Sequence, residues 1–172
     1  MKNKTTFISV TVGVLVFAMS AIAMADGKTF PGSLCKEVGD TSPEIYYSDG
    51  SAKNDHDTAD STFVCPIIRD QEPGDHSVDL QVLAWNLHDD KDVKCRLRRY
   101  KANGSETDSN SISSWRQIDG WGRTILDFGL QTMEEDDGFM VVECVIPDED
   151  TNSSGSAGRS GILEIIVDEK AY

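Results

Sequence analysis

Short runs in which apolar and polar residues take turns decide what this chain can fold into. In residues 77–85 (SVDLQVLAW), Val78, Leu80, Val82 and Ala84 fall on one side and Ser77, Asp79 and Gln81 on the other. In residues 92–100 (DVKCRLRRY), Val93, Cys95 and Leu97 oppose Lys94, Arg96 and Arg98. A repeat of two matches the pleat of a β-strand, whose successive side chains point to opposite faces. Residues 139–146 (FMVVECVI) place Met140, Val142, Cys144 and Ile146 together, and residues 162–168 (ILEIIVD) do the same for Leu163, Ile165 and Val167. Residues 61–68 (STFVCPII) are β-branched and aromatic, but Pro66 lacks an N–H and restricts that strand to a sheet edge or a strand end. Weaker strand signals lie at 44–47 and 51–54. No long run holds a capped helical period, so helix is expected to be scarce.

The connections suggest which strands pair. Between 77–85 and 92–100 stand His88, Asp89, Asp90 and Lys91, and a four-residue hairpin loop would set Ala84 opposite Cys95 and Val82 opposite Leu97. In residues 111–129 the pair Asp119-Gly120 suits a type I′ turn and predicts a second hairpin. Its register would place Trp115 opposite Thr124 in the core, beside Leu126 and Phe128, and Trp121 on the outer face with Arg116 and Arg123. Loops are expected at 48–60, 70–76, 103–111, 133–138 and 147–161. The last (PDEDTNSSGSAGRSG) is acidic and rich in glycine and serine, so it reads as a mobile loop within one domain. Short strands with turn signals about every ten residues predict an all-β fold, a single antiparallel β-sandwich of seven to nine strands spanning 26–172, with 26–43 as an N-terminal arm.

The first 25 residues set the compartment. Lys2 and Lys4 precede an apolar run from 7 to 23 without an acidic residue, and Ala23 and Ala25 frame a small-residue cleavage site before Asp26. That is the profile of a cleavable signal peptide over 1–25, and the run falls short of the ~20 apolar residues of a membrane span. The expected location is secreted or periplasmic, with no membrane span after cleavage. Four cysteines, Cys35, Cys65, Cys95 and Cys144, then meet an oxidising environment. Cys95 and Cys144 both point inward from separate strands and are expected to pair, which leaves Cys35 to tie the N-terminal arm to Cys65. Their spacing lacks the close pairs of a structural zinc site.

Acidic side chains outnumber basic ones 30 to 16, and removing Lys2 and Lys4 with the leader takes the net charge from −14 to −16. So negative a surface repels phosphate backbones, which argues against nucleic acid as a partner.

A few short motifs carry a likeness to known sequences: Asn54 after Gly50, Val64-Cys65-Pro66-Ile67 followed by Arg69-Asp70, Val93-x-Cys95-x-Leu97, Val142-x-Cys144-x-Ile146-Pro147, and Ser160-Gly161-Ile162. In these the chain resembles uncharacterised small secreted bacterial proteins with a disulfide-bonded β-sandwich domain. The resemblance implies a shared fold and a bacterial source, and it implies no activity.

Candidate chemistry is sparse. His56, His76 and His88 fall in polar loops among many acids, and no G-x-S-x-G elbow is present. A small secreted hydrolase using such acidic and histidine loop residues is the alternative reading, and no catalytic residue is assigned. Glu143 and Glu164, on outer faces, are expected to be solvated or paired with cross-strand cations. Asp55, Asp57 and Asp60 approach a calcium-ligand rhythm but lack the glycine and terminal glutamate of an EF-hand, so they are a weak calcium candidate and no other cofactor is expected. Two features could bind a ligand: the cationic stripe Lys94, Arg96 and Arg98, suited to an anion, and Trp121 with Arg116 and Arg123, suited to stacking on a sugar ring. The expectation is an exported, non-enzymatic β-sandwich that binds, if anything, a carbohydrate or an envelope component.

Overall fold

The computed structural model describes residues 27–39, 45–69, 77–101, 103–105, 115–118, 120–132, 137–149 and 158–170. Among these residues alternation becomes eleven strands: β1 (Gly27–Pro31), β2 (Lys36–Glu37), β3 (Ile45–Ser48), β4 (Ser51–Asn54), β5 (Ser61–Pro66), β6 (Ser77–Asn86), β7 (Val93–Lys101), β8 (Arg116–Ile118), β9 (Gly122–Thr132), β10 (Asp137–Ile146) and β11 (Gly161–Lys170). The first sheet runs β3-β4-β11-β6-β9, with β1 also on β11, and the second runs β2-β5-β10-β7-β8. Among the described residues every strand pairing is antiparallel. The count exceeds seven to nine because short strands such as β2 and β8 carry too few residues to show a period. Among the described residues, no helix is long and apolar enough to cross a membrane.

The inner faces meet as expected. Val78, Leu80, Val82 and Ala84 from the first sheet are fully buried with Val93, Cys95, Leu97, Met140, Val142, Cys144 and Ile146 from the second. The expected strand partners, however, are wrong. β6 pairs with β11 and β9, and β7 pairs with β10 and β8, so no hairpin joins β6 to β7. Likewise β8 stays in the second sheet while β9 joins the first, and the chain changes sheet where the Asp119-Gly120 hairpin was expected. Asp119 itself lies outside the described residues. The alternation reports which face is buried; it does not say whether the next strand lies beside that face or opposite it.

Three β-bulges adjust the register. Ile162 faces Ala84 and Glu164 faces Leu83, so Leu163 is an extra residue. Ile162 therefore takes the core position expected for Leu163, and Ile165 and Val167 keep theirs. A second bulge sets Phe128 between the partners of Leu80 and Gln81, beside Gly129 at φ 65°. A third lies between Asp137 and Phe139.

Both expected disulfides form, Cys35–Cys65 and Cys95–Cys144. Cys95 and Cys144 stand directly opposite one another on β7 and β10, so the bond crosses neighbouring strands of one sheet. The N-terminal arm is more than a strap. Its β1 pairs along β11 in the first sheet, then a 3₁₀ turn at Gly32–Leu34 carries it to β2 in the second. Gly32 is required at that crossing, since a Cβ there would sit 2.0 Å from the Ile162 carbonyl oxygen. Pro66 ends β5, beyond the residues paired with β2, as its missing N–H demands. The proposed leader, residues 1–25, lies outside the described residues.

Candidate functional site: the outer face of the second sheet

On β10, Met140, Val142, Cys144 and Ile146 turn into the core, so Phe139, Val141, Glu143 and Val145 turn outward. The register sets them beside β7 in order: Phe139 faces Tyr100, Val141 faces Arg98, Glu143 faces Arg96 and Val145 faces Lys94. On its other side Glu143 faces Val64 of β5, which in turn faces Lys36 of β2.

Glu143 lies at the middle of this face and is only 8% exposed. Its Oε1 accepts hydrogen bonds from Arg96 Nε at 3.1 Å and Nη2 at 2.6 Å, and its Oε2 accepts from Arg98 Nη1. A carboxylate so enclosed needs such charge-assisted partners, and two arginines on one acid fix one another's orientation. The expectation of cross-strand pairing for Glu143 holds, and that of a solvated group does not. Glu164 faces Leu83 and Pro31 on the first sheet.

Aromatic rings flank the ion cluster. The Arg96 guanidinium lies 4.5 Å from the Trp115 ring centre, and that of Arg98 lies 5.9 Å from Tyr100, within cation–π range. The Tyr100 and Phe139 rings stack with centroids 4.9 Å apart and planes 11° from parallel. The order Trp115, Arg96, Glu143, Arg98, Tyr100, Phe139 makes one array, with Trp115 41% and Phe139 43% exposed at its ends. The four-residue step along β7 from Arg96 to Tyr100 spans about 14 Å at ~3.4 Å per residue. Exposed rings can cover the apolar face of a planar or ring-shaped ligand, and the guanidinium N–H groups between them can donate to its oxygens.

Trp115 was expected in the core. Instead Ile118 faces Val93 and is buried, which places Trp115, an odd number of residues away, on the outer side. Trp121 is 62% exposed, in keeping with its expected exposure, but its intended neighbours are divided. Arg116 belongs to β8 of the second sheet, opposite Cys95, and Arg123 to β9 of the first, opposite Trp85. Of the cationic stripe, Arg96 and Arg98 join the array and Lys94 stands exposed beside it.

The histidines and loop acids gather elsewhere, where the chain changes sheet. β4 ends in Asn54 and β6 in Asn86, both fully buried. The Asn54 side chain donates to the carbonyls of Ala59 (2.9 Å) and Ile146 (3.1 Å) and accepts from the His56 N–H (3.0 Å) and the Ser61 hydroxyl (3.1 Å). Asn86 donates to the carbonyls of Lys91, Ile118 and Gly120 and accepts from the His88 N–H and the Ser160 hydroxyl. His88, though in a polar loop, is buried. Its Nδ1 accepts the N–H groups of Asp90 (3.0 Å) and Lys91 (3.1 Å), which leaves Nε2 to carry the proton, 3.3 Å from Asp148. His56 is half-buried, and His76 lies outside the described residues.

Lys91 bridges Asp148 at 2.7 Å and Asp60 at 2.9 Å. Those two carboxylates, Asp148 foremost, hold its ammonium above the usual lysine range. Asp55 pairs with Arg159, and Asp57 is exposed. Asp55 and Asp60 of the calcium rhythm thus hold different cations, and among the described residues no group of three or more metal-ligating side chains converges. At the ends of the acidic loop, Asp148 and Ser160 are buried and anchored rather than mobile; residues 150–157 lie outside the described residues.

No protein-family model and no curated protein matches the sequence. Solved structures do. The CBM22-1 xylan-binding domain from Paenibacillus barcinonensis is 12% identical, with a TM-score of 0.50 over 87% of this chain and 98% of that one. The CBM22-1–GH10 modules of Clostridium thermocellum endo-1,4-β-D-xylanase, complexed with xylohexaose, are 8% identical, with a TM-score of 0.49 over 86% of this chain. The Podospora anserina GH26-CBM35 β-(1,4)-mannanase is 15% identical, with a TM-score of 0.46 over 85% of this chain. The chain spans 29% and 28% of the length of the last two. At such identity the likeness to the Paenibacillus domain is one of fold: a two-sheet β-sandwich of nearly the same extent.

Proposed function

We propose that this protein is an exported, non-enzymatic carbohydrate-binding module, secreted or periplasmic, whose ligand lies on the outer face of the second sheet. The observation that carries the reading is the array itself: exposed Trp115 and Phe139 at the two ends of a preorganised Arg96–Glu143–Arg98 cluster. Aromatic rings stack on the C–H faces of sugars, and arginine N–H groups donate to hydroxyls, so rings flanking fixed donors suit a polyol chain. The sandwich shared with a domain described as xylan-binding supports the same reading. Two disulfides agree with an oxidising location.

Affinity electrophoresis through gels containing cell-wall polysaccharides tests the proposal. Retardation by at least one polysaccharide, reduced in Trp115→Ala and kept in Trp121→Ala, is the expected result. Equal retardation of the wild type and Trp115→Ala would move the site off this face, and no retardation in any gel would remove the function.

A further inference from the structure

We propose that the carbohydrate taken by this face is acidic, a polysaccharide bearing uronate carboxylates. The inference rests on the carbohydrate-binding reading and names its substrate class. The whole chain is strongly negative at −14, yet on the outer face of the second sheet Lys36, Lys94, Arg96 and Arg98 stand around the carboxylate of Glu143.

Cross-strand neutralisation accounts for only part of that excess. Glu143 engages Arg96 and Arg98, but the residues directly opposite Lys94 are Val145 and Gln117, and the residue opposite Lys36 is Val64. None of these is charged. Edge protection does not explain Lys94 either, because β7 is an interior strand between β10 and β8. Lys94 is exposed and makes no ion pair among the described residues, one register step from Arg96. Arg96 directs its Nε and Nη2 to Glu143, and a guanidinium has five N–H donors in a planar fork that matches a carboxylate. A sugar ring seated on Trp115 would therefore bring a ring carboxylate toward Lys94 and the outward N–H groups of Arg96, where a neutral sugar leaves the charge of Lys94 unanswered.

Titration calorimetry of the purified protein with four polymers tests this: polygalacturonate, its methyl-esterified form, neutral xylan and dextran sulfate, each at low and high salt. Polygalacturonate is expected to bind tightest, weakened roughly tenfold by esterification and again by salt, since screening acts on exposed charges. Lys94→Gln should lose roughly fivefold for the acid polymer, the scale of one exposed ion pair, and nothing for a neutral one. Because Lys94 is exposed, an unchanged melting temperature verifies the fold of that variant. Equal, salt-independent binding of the acid and its ester would overturn the acidic-ligand inference while leaving the carbohydrate reading in place. Binding of dextran sulfate as tight as that of polygalacturonate would show generic anion exchange and overturn it as well. No binding of any polymer would end both.

Discussion

Asn54 and Asn86 show how much of this fold rests on single side chains. Each closes a strand of the first sheet, and each satisfies every hydrogen-bonding site of its amide inside the protein while holding the following loop. Truncating Asn86 to alanine would strand several buried donors and acceptors, so it should cost at least about 2 kcal/mol, read as a lower urea midpoint. Asn54 stood out only as part of a motif and Asn86 not at all, although each precedes a histidine by two residues at a strand end, and that repeated Asn-x-His spacing was the available signal. Lys91 gives a prediction on the alkaline side. Its folded-state pKa is raised by Asp148 and Asp60, so its stabilising pairing is complete below the unfolded-state value of about 10.4 and is lost as pH climbs through the folded-state value. The wild-type melting temperature should therefore fall above about pH 10.4, and Lys91→Met should start lower and show a shallower fall in the same range. At the centre of the outer face, Glu143→Ala leaves Arg96 and Arg98 without their shared acceptor and should cost about 1.5–3 kcal/mol by denaturant titration.

The strands were legible as faces and illegible as neighbours. Every inward residue named on β6, β7 and β10 is buried, because a pleated backbone leaves no other way to hide alternate side chains. Which strands lie side by side depends on whether a loop turns back within one sheet or crosses to the other. The six-residue loops after Asn54 and Asn86 both cross, under the direction of buried amide contacts that alternation does not encode. That error also displaced Trp115, whose expected burial depended on the Asp119-Gly120 hairpin. The parity of Ile118 would have placed it correctly, just as the parity of Lys94, Arg96 and Arg98 places Tyr100 on the outer face. The disulfides were legible because both thiols of Cys95 and Cys144 lie on inward faces, and a directly opposed pair clamps two central strands. Replacing both by alanine removes a cross-link over 49 residues of sequence and should lower stability by about 2–5 kcal/mol, measured by denaturant unfolding.

At the scale of the molecule, the sandwich presents two distinct regions. Where the chain changes sheet, buried amides, His88 and the Lys91 bridge lock the loops together, which is structural work. The outer face of the second sheet has no such task to explain its exposed rings and its excess of cations, and binding is proposed there. Half of this site was visible beforehand as the stripe on β7. The other half, Glu143 with the rings of Trp115, Tyr100 and Phe139, required knowing that β10 and β8 flank β7. The most direct measurement is backbone-amide and side-chain NMR shift mapping during titration with an acidic oligosaccharide. Changes confined to Trp115, Arg96, Arg98, Tyr100, Phe139 and Lys94 are the predicted outcome; changes centred on Trp121 and Arg123, or at the loop cluster around His88, would contradict it.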